Sequence, residues 1–406
     1  MFLHAARQPI LDWEQNLYAY ELLFRNGSDD YFSGGDGYTA TSKLVASSQF
    51  EHSLSDLTAG KLAHINFNLK SILKHYPTMI PAEQVVVEIV EIEKPGRRLL
   101  EECKALKAAG YKILLDNYVH QKAWLHFFPY IEMIKLDFQV ASEADIRLAL
   151  KIKEKFSHIK LIGSKIETQK QFQLAKNEGF DYFQGYFFAQ LQPIKKKFID
   201  ANDYSLAELL FELSNREFDL AKIIDTFQSD VSLTYKLIRY SNSSLFNRKI
   251  EISSIKDAVI SLGKEELIKF VTILFAAQSS GKKSSELLAM SLFRAKFSEE
   301  LALMSGGAVD SSIAFLTGMF SLIDVMLDEP MQNVVEKLKL ASEISIALLH
   351  KQGELAKLIS ISTCYEKGNW SELAEFSENL SLKLEDIVGC YRRAINWSNE
   401  QMNIIS

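Results

Sequence analysis

Tyr20-Glu21-Leu22-Leu23-Phe24-Arg25 is the stretch on which the reading of this chain turns. Tyr20, Leu22 and Phe24 alternate with Glu21, Leu23 and Arg25, the period-2 pattern of a strand. One face is apolar, and the other carries a carboxylate and a guanidinium. Alone, such a stretch reads as a half-buried strand with a solvated polar edge, because charged residues on strands are mostly exposed. A functional reading requires other strands to end in matching polar residues.

Upstream, Arg7-Gln8-Pro9-Ile10-Leu11 reads as a strand, and Asp12 to Asn16 is polar and turn-like. So short a link holds no crossover helix, so the two strands are expected to run antiparallel. Downstream the pattern changes. Thr39 to Phe50 reads as a helix, Ala63 to Phe67 as a strand, and Val85 to Ile89 as a buried strand. Arg97 to Ala109 is an amphipathic helix. Strands follow at Lys112 to Asp116, Ile131 to Leu136, Lys160 to Gly163 and Tyr182 to Gly185, with helices at Asp145 to Phe156 and Gln169 to Gly179. Such alternation argues for a parallel sheet. About eight strands in roughly 190 residues predict a (β/α)8-type barrel with an antiparallel first hairpin.

Near the C-terminal strand ends stand Glu21, Asn66, Glu88, Asp116, Lys135, Ser164 and Gln184. In barrels these ends form the mouth where chemistry occurs. Glu21, Asn66, Glu88 and Asp116 offer only oxygen ligands, the preference of a hard cation such as Mg²⁺ or Mn²⁺. Lys135 suits orienting a water or neutralising a phosphate, and Arg25 and Gln8 suit holding phosphate oxygens. The chemistry that fits is metal-assisted attack on a phosphodiester.

With these residues in place, the chain resembles an EAL domain, the barrel family that hydrolyses cyclic di-GMP. The resemblance rests on Gln8-Pro9-Ile10, Glu21-Leu22-Leu23-Phe24-Arg25, Asn66, Glu88-Ile89-Val90-Glu91, Asp116, Lys135-Leu136-Asp137, Glu167-Thr168 and Gln184-Gly185-Tyr186, in the family's order. It implies that Glu21, Asn66, Glu88 and Asp116 are metal ligands. It implies water- and metal-shell roles for Lys135 and Gln184, ligand binding by Gln8 and Arg25, and a loop-steadying role for Glu91. Two positions depart from the family. Its second aspartate is replaced by Asn117, and the Gly-rich loop that follows is absent. Its general-base glutamate is replaced by Ser164, a hydroxyl too weak to take a proton from water near neutral pH. Lys165 adds a positive charge expected to lie beside the metal site. These departures imply a degenerate phosphodiesterase.

Beyond Lys195-Lys196-Lys197 the strand–helix alternation stops. Leu206, Leu209, Leu210 and Leu213 share one helix face, and Leu220, Ile223, Ile224 and Phe227 another. Ser254 with Asp257 reads as a capping box, and Gly263 as a helix end. Ser284 to Met304 reads as a long amphipathic helix, Ser241-Asn242-Ser243 as a local cap and turn, and Asp324, Asp328 and Glu329 as a solvated helix end. This half resembles an HDOD domain, on Ser229-Asp230, Leu233, Leu237, Ser241-Asn242-Ser243, Phe246 and the run from Ile252 to Gly263. HDOD domains are similar to HD phosphohydrolases without the metal-binding residues. Independently, no histidine lies between His158 and His350, and Ser321-Leu322 stands where His-Asp would be, so no HD metal centre can form.

The fold class is therefore α/β followed by all-α: a barrel over residues 1–195, a joint at 196–205 and a helical HDOD bundle over 206–395. A net charge of −6 argues against a nucleic-acid binder. Three dispersed cysteines suggest no disulfide framework and fit a reducing cytoplasm. No apolar run is long enough for membrane insertion. The whole resembles bacterial EAL–HDOD signalling proteins. That implies a scaffold or signal transducer with an inactive barrel, with cyclic di-GMP as ligand and protein partners at the HDOD domain, and it allows a homodimer and Mg²⁺ or Mn²⁺. The alternatives are a slow metal-dependent phosphodiesterase and a cyclic di-GMP receptor.

Overall fold

A computed structural model of the chain describes residues 3–26, 50–90, 95–189, 201–214, 218–243, 246, 252–280, 285–306, 309–327, 329–338, 340–379 and 382–405. The helix expected from Thr39 lies outside these residues up to Phe50, where a helix runs Phe50–Thr58. The chain divides into two compact units, one of Met1–Gln190 with Cys364–Ala374, the other of Leu191–Thr363 with Glu375–Ser406.

The first unit is a closed barrel of β1 (Leu3–Asp12), β2 (Leu17–Asn26), β3 (Leu62–Phe67), β4 (Val85–Ile89), β5 (Lys112–Leu115), β6 (Met133–Asp137), β7 (Lys160–Ser164) and β8 (Tyr182–Gln184), neighbours in that order. β1 runs antiparallel to both β2 and β8, and the remaining pairs are parallel. The first hairpin closes because Asp12 folds the link on itself. Its Oδ1 accepts from the backbone N–H groups of Glu14 and Asn16, both at 2.9 Å. Later crossovers begin at local caps. Ser142 and Asp145 form a capping box ahead of Glu143–Lys155, and Thr168 and Gln171 one ahead of Gln169–Asn177.

Period-2 alternation then layers the barrel interior. Ile10, Ala19, Val86, Leu114, Met133 and Ile162 form one buried cluster. Each lies two residues along the chain from a polar mouth residue: Gln8, Glu21, Glu88, Asp116 (just past the end of β5), Lys135 and Ser164. An apolar floor thus supports a polar rim. Burying an aliphatic side chain of this kind contributes about 1.5–3 kcal/mol.

Among the described residues, the second unit is built from helices and contains no strand. Gly263, at φ 72° and ψ 174°, breaks the run Ile255–Ser280 into two helices, so the helix end expected there is present. Ser285–Met304 is buried around its whole circumference, not along one stripe. The charges that give it an amphipathic look are spent in a network. Glu299 meets Lys269 and Lys296 at 2.8 and 2.7 Å, and Glu300 meets Lys296 and Arg393 at 2.9 and 2.7 Å. Asn242 ties its turn to the chain ahead, its Nδ2 donating to the Ile252 carbonyl at 2.7 Å and its Oδ1 accepting from the Ile252 N–H at 2.8 Å. The expected solvated end at Asp324 is only partly so: Asp324 is half-buried, and burial raises its pKa against the pull of Arg294. The side chain of Asp328 lies outside the described residues.

Candidate functional site

The rim residues converge on one ammonium group. Lys135 Nζ, on β6, donates to Glu88 Oε2 at 2.6 Å and Glu21 Oε2 at 3.0 Å, and lies 3.5 Å from Asp116 Oδ1. Glu21 is gripped from both sides. Asn66 Nδ2 donates to Oε1 at 2.8 Å, and Gln184 Nε2 donates to Oε2 at 2.7 Å. Gln184 Nε2 also lies 3.2 Å from Gln8 Oε1, and Gln8 Nε2 donates to the Glu366 carbonyl at 3.1 Å. The β1–β2 pairing sets Gln8 opposite Glu21. Seven of the expected site residues (Gln8, Glu21, Asn66, Glu88, Asp116, Lys135 and Gln184) thus form one connected cluster. The side chain of Arg25 and all of Glu91 lie outside the described residues.

Three carboxylates face one ammonium, and the electrostatics follow. Burial works against the Lys135 charge, but Asp116, Glu21 and Glu88 outweigh it and hold its pKa well above the usual lysine range. Burial also opposes the Glu21 charge. The Lys135 charge and the bonds from Gln184 and Asn66 prevail and lower that carboxyl to about 2. Burial, reinforced by repulsion from Glu21, raises Glu88 to about 8. Asp116 is raised to about 6, chiefly by burial. Glu88 and Asp116, which lack the amide donors that grip Glu21, bear the cost of the excess negative charge.

Glu21, Lys135 and Gln184 open into a cavity of about 400 Å³, shared with Asn117, Ser164 and Glu167. Ser164 is buried, and its hydroxyl donates to the Leu136 carbonyl at 3.2 Å. Lys165 lines the same cavity and so brings a positive charge beside the rim. Its ammonium pairs with Asp137 at 2.7 Å and its side chain is mostly exposed. Asn117 takes a left-handed turn at φ 46°, a conformation Asn tolerates better than most residues, so the loop turns without the family's glycines. Lys367, from the segment grouped with this unit, also lines the cavity. No local pattern at Lys367 could have signalled this. His64 is another residue that the strand-end reading missed. Its Nδ1 lies 2.8 Å from Glu88 Oε1, and burial, with the Lys135 charge, lowers its pKa to about 3, so the ring is neutral.

Among the described residues, no three His, Cys, Asp or Glu side chains stand in a metal-holding arrangement, because the carboxylates close on Lys135 instead. The chemistry of the donor set nevertheless fits a hard cation. Asn66 Oδ1 and Gln184 Oε1 are buried oxygens with no donor, on the two amides that grip Glu21, and Glu88 and Asp116 share its Lys135 contact. Those residues would hold it, and the cation would supply charge neutralisation and activation of a water.

A closed barrel with one antiparallel hairpin and this rim defines an EAL-type domain. The EAL domain model matches residues 61–191 and the HDOD domain model residues 204–355. The chain is 32% identical to the Vibrio cholerae protein named cyclic di-GMP phosphodiesterase CdgJ, over 99% of this chain and 94% of that one. It is 31% identical to the uncharacterized protein YuxH of Bacillus subtilis, over 99% of this chain and 100% of that one. The chain belongs to the family of proteins that join an EAL domain to an HDOD domain. The Bacillus subtilis YkuI protein, solved with its EAL domain in complex with substrate c-di-GMP and calcium, aligns with 66% of this chain and 73% of its own at 20% identity and a TM-score of 0.38. No helix among the described residues is long and apolar enough to cross a membrane.

Proposed function

We propose that this chain is a cyclic di-GMP signalling protein whose barrel holds the ligand without appreciable hydrolysis and whose helical HDOD domain engages a protein partner. The barrel domain of this reading covers residues 1–195, the joint 196–205 and the HDOD domain 206–395. The observation that carries it is Ser164: the β7 end presents a hydroxyl bonded to the Leu136 carbonyl where a carboxylate would have to accept a proton. Loss of a general base costs roughly 10²–10⁴-fold in rate. The gripping residues survive better. Glu21, Asn66, Glu88 and Asp116 would hold Mg²⁺ or Mn²⁺, Lys135 and Gln184 would order the polar rim, and Gln8 and Arg25 would bind phosphate oxygens. Cys103, Cys364 and Cys390 are all free and buried, which supports a cytoplasmic setting. Binding and hydrolysis of cyclic di-GMP, measured on one preparation with Mn²⁺, test the reading. Saturable binding without turnover is expected.

A slow metal-dependent phosphodiesterase is the second reading. It is favoured by the full-length likeness to a protein named as a phosphodiesterase and by the intact set Glu21, Glu88, Asp116 and Lys135. It requires a measurable rate of linear product that Glu21→Ala abolishes.

A further inference from the structure

His64 enters none of the chemistry above. It lies on β3 two residues before Asn66, opposite Glu21 on β2 and Val86 on β4. That places it in the interior layer otherwise made of Ile10, Ala19, Val86, Leu114, Met133 and Ile162. The side chain is wholly buried; Nδ1 meets Glu88 Oε1 at 2.8 Å, and Nε2 has no partner. Tyr18 meets the ring edge-on, with centroids 6.1 Å apart.

Packing alone does not account for an imidazole here. An aliphatic side chain would fill the layer without leaving a buried nitrogen unbonded. What the ring adds is a donor beneath Glu88. A neutral imidazole with its proton on Nδ1 gives it to Oε1 and leaves Nε2 a bare acceptor, less costly to orphan than a buried N–H. Oε1 is thereby fixed from below, and Oε2 is turned to the rim, 2.6 Å from Lys135 Nζ.

We propose that His64 is a positioning residue: it fixes the Glu88 carboxylate with one oxygen presented to the mouth, and so sets the affinity of the site for a small divalent cation. The proposal rests on the reading of Glu21, Asn66, Glu88 and Asp116 as cation-holding residues. Hydrogen-bonding partners that orient metal ligands change metal affinity by about 10–100-fold when removed, because the ligand must then be ordered during binding.

The test is Mn²⁺ titrated calorimetrically into the full chain, as wild type, Glu21→Ala, His64→Phe and His64→Gln. Wild type binds, and Glu21→Ala does not. His64→Phe weakens Mn²⁺ by about 10–100-fold with the circular dichroism unchanged, and His64→Gln, which keeps an N–H donor, recovers most of the loss. Equal affinity in wild type and His64→Phe overturns the positioning role and leaves the cation site standing. No binding in wild type overturns the cation-site reading and the His64 role with it. Should His64→Phe not fold, the imidazole nitrogen NMR spectrum of wild type decides. A protonated Nδ1 whose resonance moves on adding Mg²⁺ supports the proposal; an Nδ1 that carries no proton, or ignores saturating Mg²⁺, overturns it.

Discussion

Lys135 Nζ lies 2.6 Å from Glu88 Oε2, and both side chains are almost wholly withdrawn from solvent. Removing one member of such a pair leaves a buried charge uncompensated, at a cost of about 3–5 kcal/mol. Lys135→Met is therefore expected to lower the stability of the metal-free chain by about that amount in urea unfolding at pH 8. Added Mn²⁺ should restore part of the loss, because it neutralises the same carboxylates. A loss below about 1 kcal/mol, the range of exposed pairs, would show that Lys135 does not hold the rim together.

The pH dependence has a definite sign. Glu88 and Asp116 are raised by burial, to about 8 and about 6. A raised carboxyl stabilises the fold fully below its unfolded pKa, and that contribution is lost as pH climbs through the folded value. Glu21 is lowered to about 2, so its favourable contribution is complete above the ordinary glutamate range and does not oppose the trend. His64, lowered to about 3, opposes the trend up to the ordinary histidine range, so the melting temperature of the metal-free chain should fall most clearly between about pH 6.5 and pH 8. Mn²⁺ should bind more tightly as pH rises from about 5 to 8, releasing the protons of Glu88 and Asp116. Titrations in buffers of different ionisation enthalpy measure that release. Affinity independent of pH would contradict the assignment.

Ser164→Glu restores a carboxylate where Ser164 now bonds to the Leu136 carbonyl. The position borders the cavity, so the longer side chain has an opening to enter. Turnover of cyclic di-GMP to its linear product should rise by about 10²-fold or more, the lower end of general-base contributions. Chromatographic product assays with Mn²⁺ check this. An unchanged rate would place the defect elsewhere in the rim.

Gly185 follows Gln184 at φ 143°, and a Cβ there would fall 2.1 Å from the Ile166 carbonyl oxygen. Backbone strain and overlap with a main-chain atom act together in Gly185→Ala. The variant is expected to lose about 2 kcal/mol or more and to displace Gln184 from Glu21. Thermal unfolding and ligand titration report the two effects. A melting temperature equal to wild type would mean that the β8 end has room to shift.

Much of this was legible in the chain itself. The link from Asp12 to Asn16 is too short for a helix, and period-2 alternation placed the polar strand ends together. What escaped did so for physical reasons. His64 sits in an apolar alternating run, where a lone histidine reads as core, and only the distance to Glu88 gives it a partner. Lys165 lines the cavity as expected, but its partner Asp137 lies across a crossover helix in the sequence. The charges of Ser285–Met304 mimic a solvated stripe until Lys269 and Arg393 are seen to meet them. Lys367 is far along the chain from every other residue of the cavity.

Binding of cyclic di-GMP without its cleavage is the property on which the proposed function rests. Calorimetric binding and chromatographic product formation, followed on a single preparation of the full chain with Mn²⁺, test it most directly. Saturable binding that Arg25→Ala removes is expected, with linear product forming more slowly than about 0.1 per second, below the range of typical enzymes. Product forming faster than that, or no binding heat at any concentration, would contradict it.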